Sequence, residues 1–128
     1  MILIDASVLF DHTRAKDPNV ARLIALNPIA ICGVTRTEAL HGVRTFKERM
    51  DLIKTLNSYP QVSTPESIWD EAGDHLALLR SKGLTIPIPD VILATVAIHH
   101  DLEVWARDHH FPLMQKWLPA LKLFQEPP

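Results

Sequence analysis

Residues 1–9 read Met-Ile-Leu-Ile-Asp-Ala-Ser-Val-Leu, and they indicate the fold class more clearly than any other segment. The run Ile2–Ile4 is short, apolar and stops at an acid, which is typical of a strand buried on both faces of a parallel sheet. A carboxylate placed directly after such a strand stands at the edge where open parallel sheets bind their ligands. The opening residues therefore predict an α/β fold with a functional acid, Asp5, after its first strand.

Strand-like segments alternate with helical patterns along the rest of the chain, which indicates βαβ units and a mainly parallel sheet. Thr64-Pro65-Glu66 predicts a capped helix start with proline at the first helical position, and Gly83 predicts the end of that helix. The segment 91–98 is apolar nearly all round and is expected to lie deep against the sheet. Further strands are predicted at 29–32, 61–63, 103–106 and 121–124, and helices at about 20–26, 35–43, 46–57, 65–82 and 91–98.

The bulk composition is that of an ordinary globular protein. The 128 residues are 47% apolar and 22% charged, and they contain no apolar run long enough to cross a membrane. The length fits one domain spanning residues 1–128. The only cysteine, Cys32, cannot form an internal disulfide and is expected to be a buried small residue, which favours a reducing cytoplasm.

The charge pattern gives only a local indication of nucleic-acid binding. A formal net charge of −2 lacks the strongly basic character of many nucleic-acid-binding domains. Five of the 13 basic residues nevertheless fall between positions 36 and 54, although such a cluster is more often a solvated helix face. They are Arg36, Arg44, Lys47, Arg49 and Lys54.

Four acids are predicted at the same edge of the sheet. Asp5 and Asp108 follow strands, Glu38 is placed in the first turn of the helix after the second strand, and Asp90 begins the apolar helix. Considered alone, each acid also has a purely structural explanation. Asp5 could cap a turn, and Glu38 could complete a capping box with Thr35. Asp90 could be stabilised near the positive end of its helix dipole. Asp108 could begin a turn before Phe111-Pro112.

The joint arrangement of these acids favours a metal site. No lysine or arginine is obviously assigned to neutralise four converging carboxylates. Hard cations such as Mg²⁺ and Mn²⁺ are bound by carboxylate oxygens and water, and they can activate water for attack on a phosphodiester. The acids Asp5, Glu38, Asp90 and Asp108 are therefore candidate metal ligands and catalytic residues.

Four blocks of the sequence resemble PIN-domain proteins in their order and spacing. They carry Asp5 with Ser7, Glu38, Asp90 and Asp108, and together they cover the residue ranges 2–9, 35–40, 89–97 and 104–111. The chain resembles the toxin component of a VapBC toxin–antitoxin pair. The resemblance implies a three-layer α/β/α fold with a central, mainly parallel sheet, and a Mg²⁺- or Mn²⁺-dependent endoribonuclease that leaves 5′-phosphate and 3′-hydroxyl ends.

The resemblance also implies roles and partners. It identifies the four acids with the acidic quartet of the family, and Ser7 with a residue that supports the first acid. It implies an RNA substrate, a small VapB-like antitoxin that covers the acidic cleft, and a homodimer. This chain has Ala106 where many relatives carry threonine or serine, and His110 where many carry a further aspartate, which bears on the hydrogen bonding of Asp108 and on a second metal.

Other assignments were weighed beside this one. Arg36, Arg44 and Lys47 lie on or near the predicted helix of Glu38 and could grip phosphates that flank the cleavage point. The histidine pairs at 99–100 and 109–110 lack the cysteine pair or His-Glu-x-x-His spacing of a zinc site. A haloacid dehalogenase-type phosphatase needs an aspartate where Ser7 stands. A non-catalytic PIN-like binding module remains the alternative of another class.

Overall fold

A five-stranded sheet forms the centre of the protein in the computed structural model, which describes residues 1–128. The strands lie in the order β3-β2-β1-β4-β5, and each neighbouring pair is parallel. They are β1 (Ile2–Ile4), β2 (Ile29–Cys32), β3 (Gln61–Val62), β4 (Glu103–Trp105) and β5 (Lys122–Leu123). The predicted parallel sheet is confirmed, with the opening strand at its centre.

Seven helices connect and follow these strands. Two of them precede β2, two lie between β2 and β3, two between β3 and β4, and one between β4 and β5. They are α1 (Ala6–Thr13), α2 (Pro18–Leu26), α3 (Gly33–His41), α4 (Phe46–Asn57), α5 (Ser67–Ser81), α6 (Ile88–His100) and α7 (His110–Gln115).

Side-chain alternation along β1 separates two hydrophobic cores. Leu3 points into a core shared with α5, α6 and α7, whereas Ile2 and Ile4 point into a second core shared with α1 to α4. Successive strand residues face opposite sides of a sheet, so one strand supplies both cores. The result is the predicted three-layer α/β/α fold, in which helices cover both faces of the sheet.

The strand order places a switch point beside β1. The chain passes from β1 to β2 on one side of the sheet and later returns to β4 on the other side. Asp5 extends the pairing with β4, because its backbone N–H donates to the carbonyl of Trp105 at 2.9 Å. Crevices at such reversals are where open α/β sheets bind ligands, so Asp5 and the segment after β4 share that edge.

Two helices were not predicted. The helix α1 begins directly after Asp5, whose side chain accepts a hydrogen bond from the Ser7 N–H as the N-cap. The helix α7 contains Phe111-Pro112, where no helix is predicted from the sequence. Pro112 lies in the first turn of α7, where a missing N–H has no intrahelical partner to lose, so the proline is accommodated.

The predicted start of α5 is wrong in detail. The helix begins at Ser67, and its N-cap Glu66 makes no side-chain capping bond, so Pro65 precedes the helix rather than opening it. The carbonyl of Pro65 instead accepts from the Ile68 N–H at 3.0 Å, which forms a turn leading into the helix. Gly83 follows the helix with φ at +80°, a backbone conformation that glycine adopts without strain.

Two expectations drawn from composition can be compared with the structure. Cys32 is fully buried and unpaired, as predicted. None of the helices has both the length and the apolar character that a bilayer span requires.

Replacing Leu3 by alanine is expected to destabilise the fold by about 3 kcal/mol, because a cavity would open in the core beneath the central strand. Leu3 is 0% exposed. Leu26→Ala is the matched control, since Leu26 is 69% exposed and its truncation is expected to change stability by less than about 0.5 kcal/mol. Urea unfolding of both variants measures the difference, and equal losses would contradict the assigned core.

Candidate functional site

Asp5 is held in one orientation at the end of β1. Its Oδ2 atom accepts from the Ser7 backbone N–H at 3.1 Å and from the Ser7 hydroxyl at 2.6 Å. The residue is 4% exposed. The Ser7 hydroxyl oxygen also accepts from the Arg107 backbone N–H at 3.1 Å, which connects α1 to the segment that follows β4. Ser7 thus orients Asp5 and brings the chain around Asp108 close to it.

Glu38 lies at a different position in its helix from the predicted one. The helix α3 begins at Gly33 with Cys32 as its N-cap, so Glu38 lies beyond the first turn and the predicted capping box does not form. The hydroxyl of Thr35 donates instead to the carbonyl of Ile4 at 2.8 Å, where both groups are buried. A buried hydroxyl needs such an acceptor, and this one fixes α3 against the end of β1.

Asp90 is the third residue of α6 and is 7% exposed. Its Oδ2 atom lies 2.8 Å from Nδ1 of His110. The same Nδ1 atom lies 3.0 Å from Oδ1 of Asp108, and that oxygen also accepts from the His110 backbone N–H at 2.7 Å. His110 therefore joins two acids that lie 18 positions apart in the chain.

The structure brings the predicted acids into two adjacent groups. Carboxylate oxygens of Asp5, Glu38 and Asp90 lie within 4.8 Å of one another. Ligand atoms of Asp108, His109 and His110 also lie within 4.8 Å of one another. The contact between His110 and Asp90 joins the groups, so the four acids form one cluster at the carboxyl edge of β1 and β4.

Burial and mutual repulsion raise the pKa values of three of these acids. Desolvation is the main cause at Asp5, Glu38 and Asp90, since burial disfavours the charged form. The charges of the neighbouring acids raise each pKa further. Hydrogen bonds from Ser7 to Asp5 and from His110 to Asp90 act in the opposite direction. The cluster therefore concentrates negative charge that its own hydrogen bonds do not fully compensate.

The nearest arginine in sequence does not neutralise the cluster. Arg107 precedes Asp108, but its guanidinium binds three other carboxylates, at 3.0 Å from Asp11, 2.7 Å from Asp17 and 2.8 Å from Glu126. A guanidinium has five N–H donors, and four of those of Arg107 bond to these three carboxylates. The cluster is thus left open to a cation from outside the chain.

The donor set fits a hard divalent cation. Three carboxylates within bonding reach of one centre are the oxygen ligands that Mg²⁺ and Mn²⁺ take in proteins. A cation would also offset the repulsion that raises these pKa values. The residues that could hold it are Asp5, Glu38 and Asp90, with Asp108 and His110 beside them.

Three basic residues predicted to contact RNA lie around α3 and α4. The Arg36 guanidinium donates to the Asn57 side chain at 2.7 Å, and the Lys47 amine pairs with Asp51 at 2.9 Å. Arg44 lies between the two helices, and its backbone N–H donates to Glu48 at 3.1 Å. None of the three contacts the acidic cluster, so any role they have concerns ligand groups outside it.

Two residues of the site were missed by sequence reasoning. In the sequence, His110 stands as a departure from the family pattern and as part of a histidine pair, but its position two residues after Asp108 is a signal for a contact within the same turn. Thr35 was interpreted as a helix cap, and nothing in its local sequence indicates a bond to Ile4, which lies 31 positions away.

Comparison with known proteins identifies the fold family. The PIN domain family model matches residues 2–116. Ribonuclease VapC21 of Mycobacterium tuberculosis is 30% identical over 117 residues, covering 85% of this chain and 82% of that protein.

Solved structures share the same architecture at low sequence identity. The structure of VapBC2 from Rickettsia felis, bound to a DNA fragment from its promoter, aligns with a TM-score of 0.82 and 20% identity over 97% of this chain and 98% of that chain. VapBC-1 from nontypeable Haemophilus influenzae aligns with a TM-score of 0.77 and 15% identity over 98% of each chain. These similarities establish the fold.

Glu38→Gln is expected to raise the thermal stability of the metal-free protein at neutral pH. The raised pKa of Glu38 means that its ionised form destabilises the fold above that pKa, and the penalty is relieved as pH falls through it. Glutamine removes the charge, and each kcal/mol gained corresponds to about 4 °C in a chain of this length. Melting curves in EDTA measure the gain, which is expected to vanish near about pH 4, where carboxyl groups protonate.

The control for this prediction is Glu103→Gln, which makes the same chemical change at an exposed strand position. It is expected to leave the melting temperature nearly unchanged. A loss of stability in Glu38→Gln at neutral pH would show that the acids do not repel one another in the folded protein.

Proposed function

This chain belongs to the PIN-domain family, and we propose that it is a metal-dependent endoribonuclease, the toxin component of a type II toxin–antitoxin system. The observation that carries the proposal is the convergence of Asp5, Glu38 and Asp90 within 4.8 Å, with Asp108 beside them. The relative from Mycobacterium tuberculosis is named a ribonuclease, which supports RNA as the substrate. We also propose that residues 1–128 form one PIN domain, because a single sheet supplies both cores.

The acids would hold Mg²⁺ or Mn²⁺ at the carboxyl edge of the sheet. Asp5, Glu38, Asp90 and Asp108 are the proposed metal ligands and catalytic residues. When bound, such a cation stabilises negative charge on phosphoryl oxygens and lowers the pKa of a coordinated water. The fixed side-chain position of Asp5 preorganises the site, since the Ser7 hydroxyl and N–H both donate to one of its oxygens.

Each supporting residue has a definite task in this proposal. Ser7 keeps Asp5 in place and ties the loop of Arg107 to α1. Thr35 fixes the helix that carries Glu38 against the end of β1. Arg107 holds the C-terminal segment and α1 together through Glu126 and Asp11, which leaves the acids free of an internal guanidinium.

The substrate would approach from the side of α3 and α4. Arg36, Arg44 and Lys47 are proposed to bind phosphates that flank the cleaved bond, because they lie on or beside the helix of Glu38. Lys47 is highly exposed, and its pair with Asp51 is a surface contact that binding to a phosphate could replace at little cost. Such contacts position the RNA without reading its sequence.

A small VapB-like antitoxin is the proposed protein partner. The structural relatives include VapBC toxin–antitoxin complexes. An uncompensated acidic cleft would attract a basic side chain from such a partner, and the cleavage assay therefore requires toxin freed of antitoxin. We also propose self-association into a homodimer and a location in the reducing cytoplasm, where the buried thiol of Cys32 would stay unpaired.

The two alternative functions fit the site less well. A haloacid dehalogenase-type phosphatase would need an aspartate at position 7, where Ser7 donates to Asp5 instead. A non-catalytic binding module would have no need for three acids that repel one another beneath the surface. This module nevertheless becomes the preferred function if the purified chain neither cleaves RNA nor binds a divalent cation.

Asp5→Asn and Asp90→Asn are each expected to lower RNA cleavage by at least about 100-fold, because each removes a ligand charge from the metal site. Asparagine still accepts hydrogen bonds as a helix N-cap, so Asp5→Asn should fold normally. The assay uses labelled structured RNAs with Mg²⁺ or Mn²⁺, an EDTA control and identification of 5′-phosphate ends.

The matched control for these variants is Asp70→Asn, an exposed acid in α5. It is expected to retain full activity. Cleavage that persists in EDTA, or that is equal in Asp5→Asn and the unchanged protein, would contradict the proposed site.

Arg44→Ala is expected to raise KM for RNA about fivefold while kcat stays nearly constant, since a phosphate contact outside the acids contributes to binding alone. The loss should shrink as salt is added, because screening weakens the contact it removes. Arg22→Ala on the exposed face of α2 is the control. An equal change in both variants, or a change confined to kcat, would refute this role of Arg44.

A further inference from the structure

His110 places a nitrogen atom between two acids of the site. Its Nδ1 atom lies 2.8 Å from Oδ2 of Asp90 and 3.0 Å from Oδ1 of Asp108, and its side chain is 23% exposed. The ring is therefore partly sheltered and faces the acidic cluster rather than solvent. A carboxylate at this position would contribute only oxygen, so His110 changes the chemistry of the donor set.

The spacing of these atoms matches that of neighbouring ligands around one cation. Ligands at about 2.1 Å from an octahedral ion are about 3.0 Å from each other when they lie at right angles. The distances from His110 Nδ1 to the two carboxylate oxygens are 2.8 and 3.0 Å. The nitrogen thus stands from each of the two oxygens at the separation expected of neighbouring ligands on one cation.

Packing holds His110 in this place. It is the first residue of α7, and the next residue, Phe111, is 1% exposed. Met114, one turn further along α7, is fully buried in the core shared with α6. The His110 backbone N–H also donates to Asp108, so the backbone and the ring of His110 both contact that carboxylate.

An imidazole ligand discriminates between the two cations named above. Mg²⁺ is a hard ion that takes oxygen ligands and retains several waters, whereas imidazole nitrogen suits transition-metal ions better. We propose that His110 binds the cation through Nδ1 and gives this site a preference for Mn²⁺ over Mg²⁺. This inference rests on the proposed function of the acidic cluster, and it assigns to His110 a role in metal specificity.

The same contacts could instead be hydrogen bonds that a cation must break. In that arrangement the Nδ1–H group donates to the acids and competes with the metal. The two arrangements predict opposite effects of removing the ring. Loss of a ligand weakens Mn²⁺ binding, whereas loss of a competing hydrogen-bond donor strengthens it.

The experiment uses the full metal-free chain, with Mn²⁺ and Mg²⁺ added separately. Calorimetry gives the affinity for each ion, and pulsed electron paramagnetic resonance of bound Mn²⁺ detects any directly bonded ¹⁴N nucleus. The variants are His110→Ala, which removes the ligand, and His110→Asp, which replaces it by oxygen. His109→Ala is the matched control, since His109 is exposed and its ring lies 4.3 Å from that of His110.

We expect a ¹⁴N signal in the unchanged protein and in His109→Ala, and its loss in His110→Ala. The Mn²⁺ affinity should fall about tenfold in His110→Ala, while the Mg²⁺ affinity changes little. In His110→Asp the ratio of Mn²⁺ to Mg²⁺ affinity should fall. The spectrum of the unchanged protein tests the inference even if a variant fails to fold.

Several results would overturn the inference. Bound Mn²⁺ without ¹⁴N coupling, stronger Mn²⁺ binding in His110→Ala, or a signal lost only in His109→Ala would each exclude His110 as the ligand. All three leave the proposed metal site intact, because the ion still binds. Failure of the unchanged protein to bind either ion would overturn the proposed function together with this inference.

Discussion

Repulsion among buried carboxylates at the end of β1 is the interaction on which the rest of the site depends. Asp5 and Asp90 are almost excluded from solvent, and Glu38 joins them within 4.8 Å. Ionised groups so placed destabilise a fold unless a counter-charge binds them. The surrounding structure must therefore supply stability from elsewhere, and the two hydrophobic cores on either side of the sheet do so.

The arginine nearest to Asp108 in sequence does not supply this counter-charge, because it pairs with other carboxylates. Arg107 stands next to Asp108 in sequence, yet Asp11, Asp17 and Glu126 occupy its guanidinium. The pKa of Arg107 is raised by these bonds, so its charge is firmly committed to them. The acids of the cluster are therefore left without this guanidinium as a counter-charge.

Much of the fold was predictable because it depends on local patterns. The β2 strand and the ends of α2 and α4 agree with the sequence prediction, since apolar periodicity and proline or asparagine boundaries are local signals. The helices α1 and α7 were missed for a physical reason. Asp5 serves both as cap and as site residue, and Pro112 occupies a helical first turn that tolerates it.

Local sequence patterns were enough to place Asp5 and Asp108 after strands and Asp90 at a helix start, although Glu38 lies further along α3 than predicted. They named Asp5, Glu38, Asp90 and Asp108, and the structure gathers them in one cluster. Local patterns did not reveal that Thr35 bonds to Ile4 rather than capping a helix, or that His110 joins Asp90 to Asp108. Those contacts join residues distant in the chain, so their formation depends on how the sheet and helices pack.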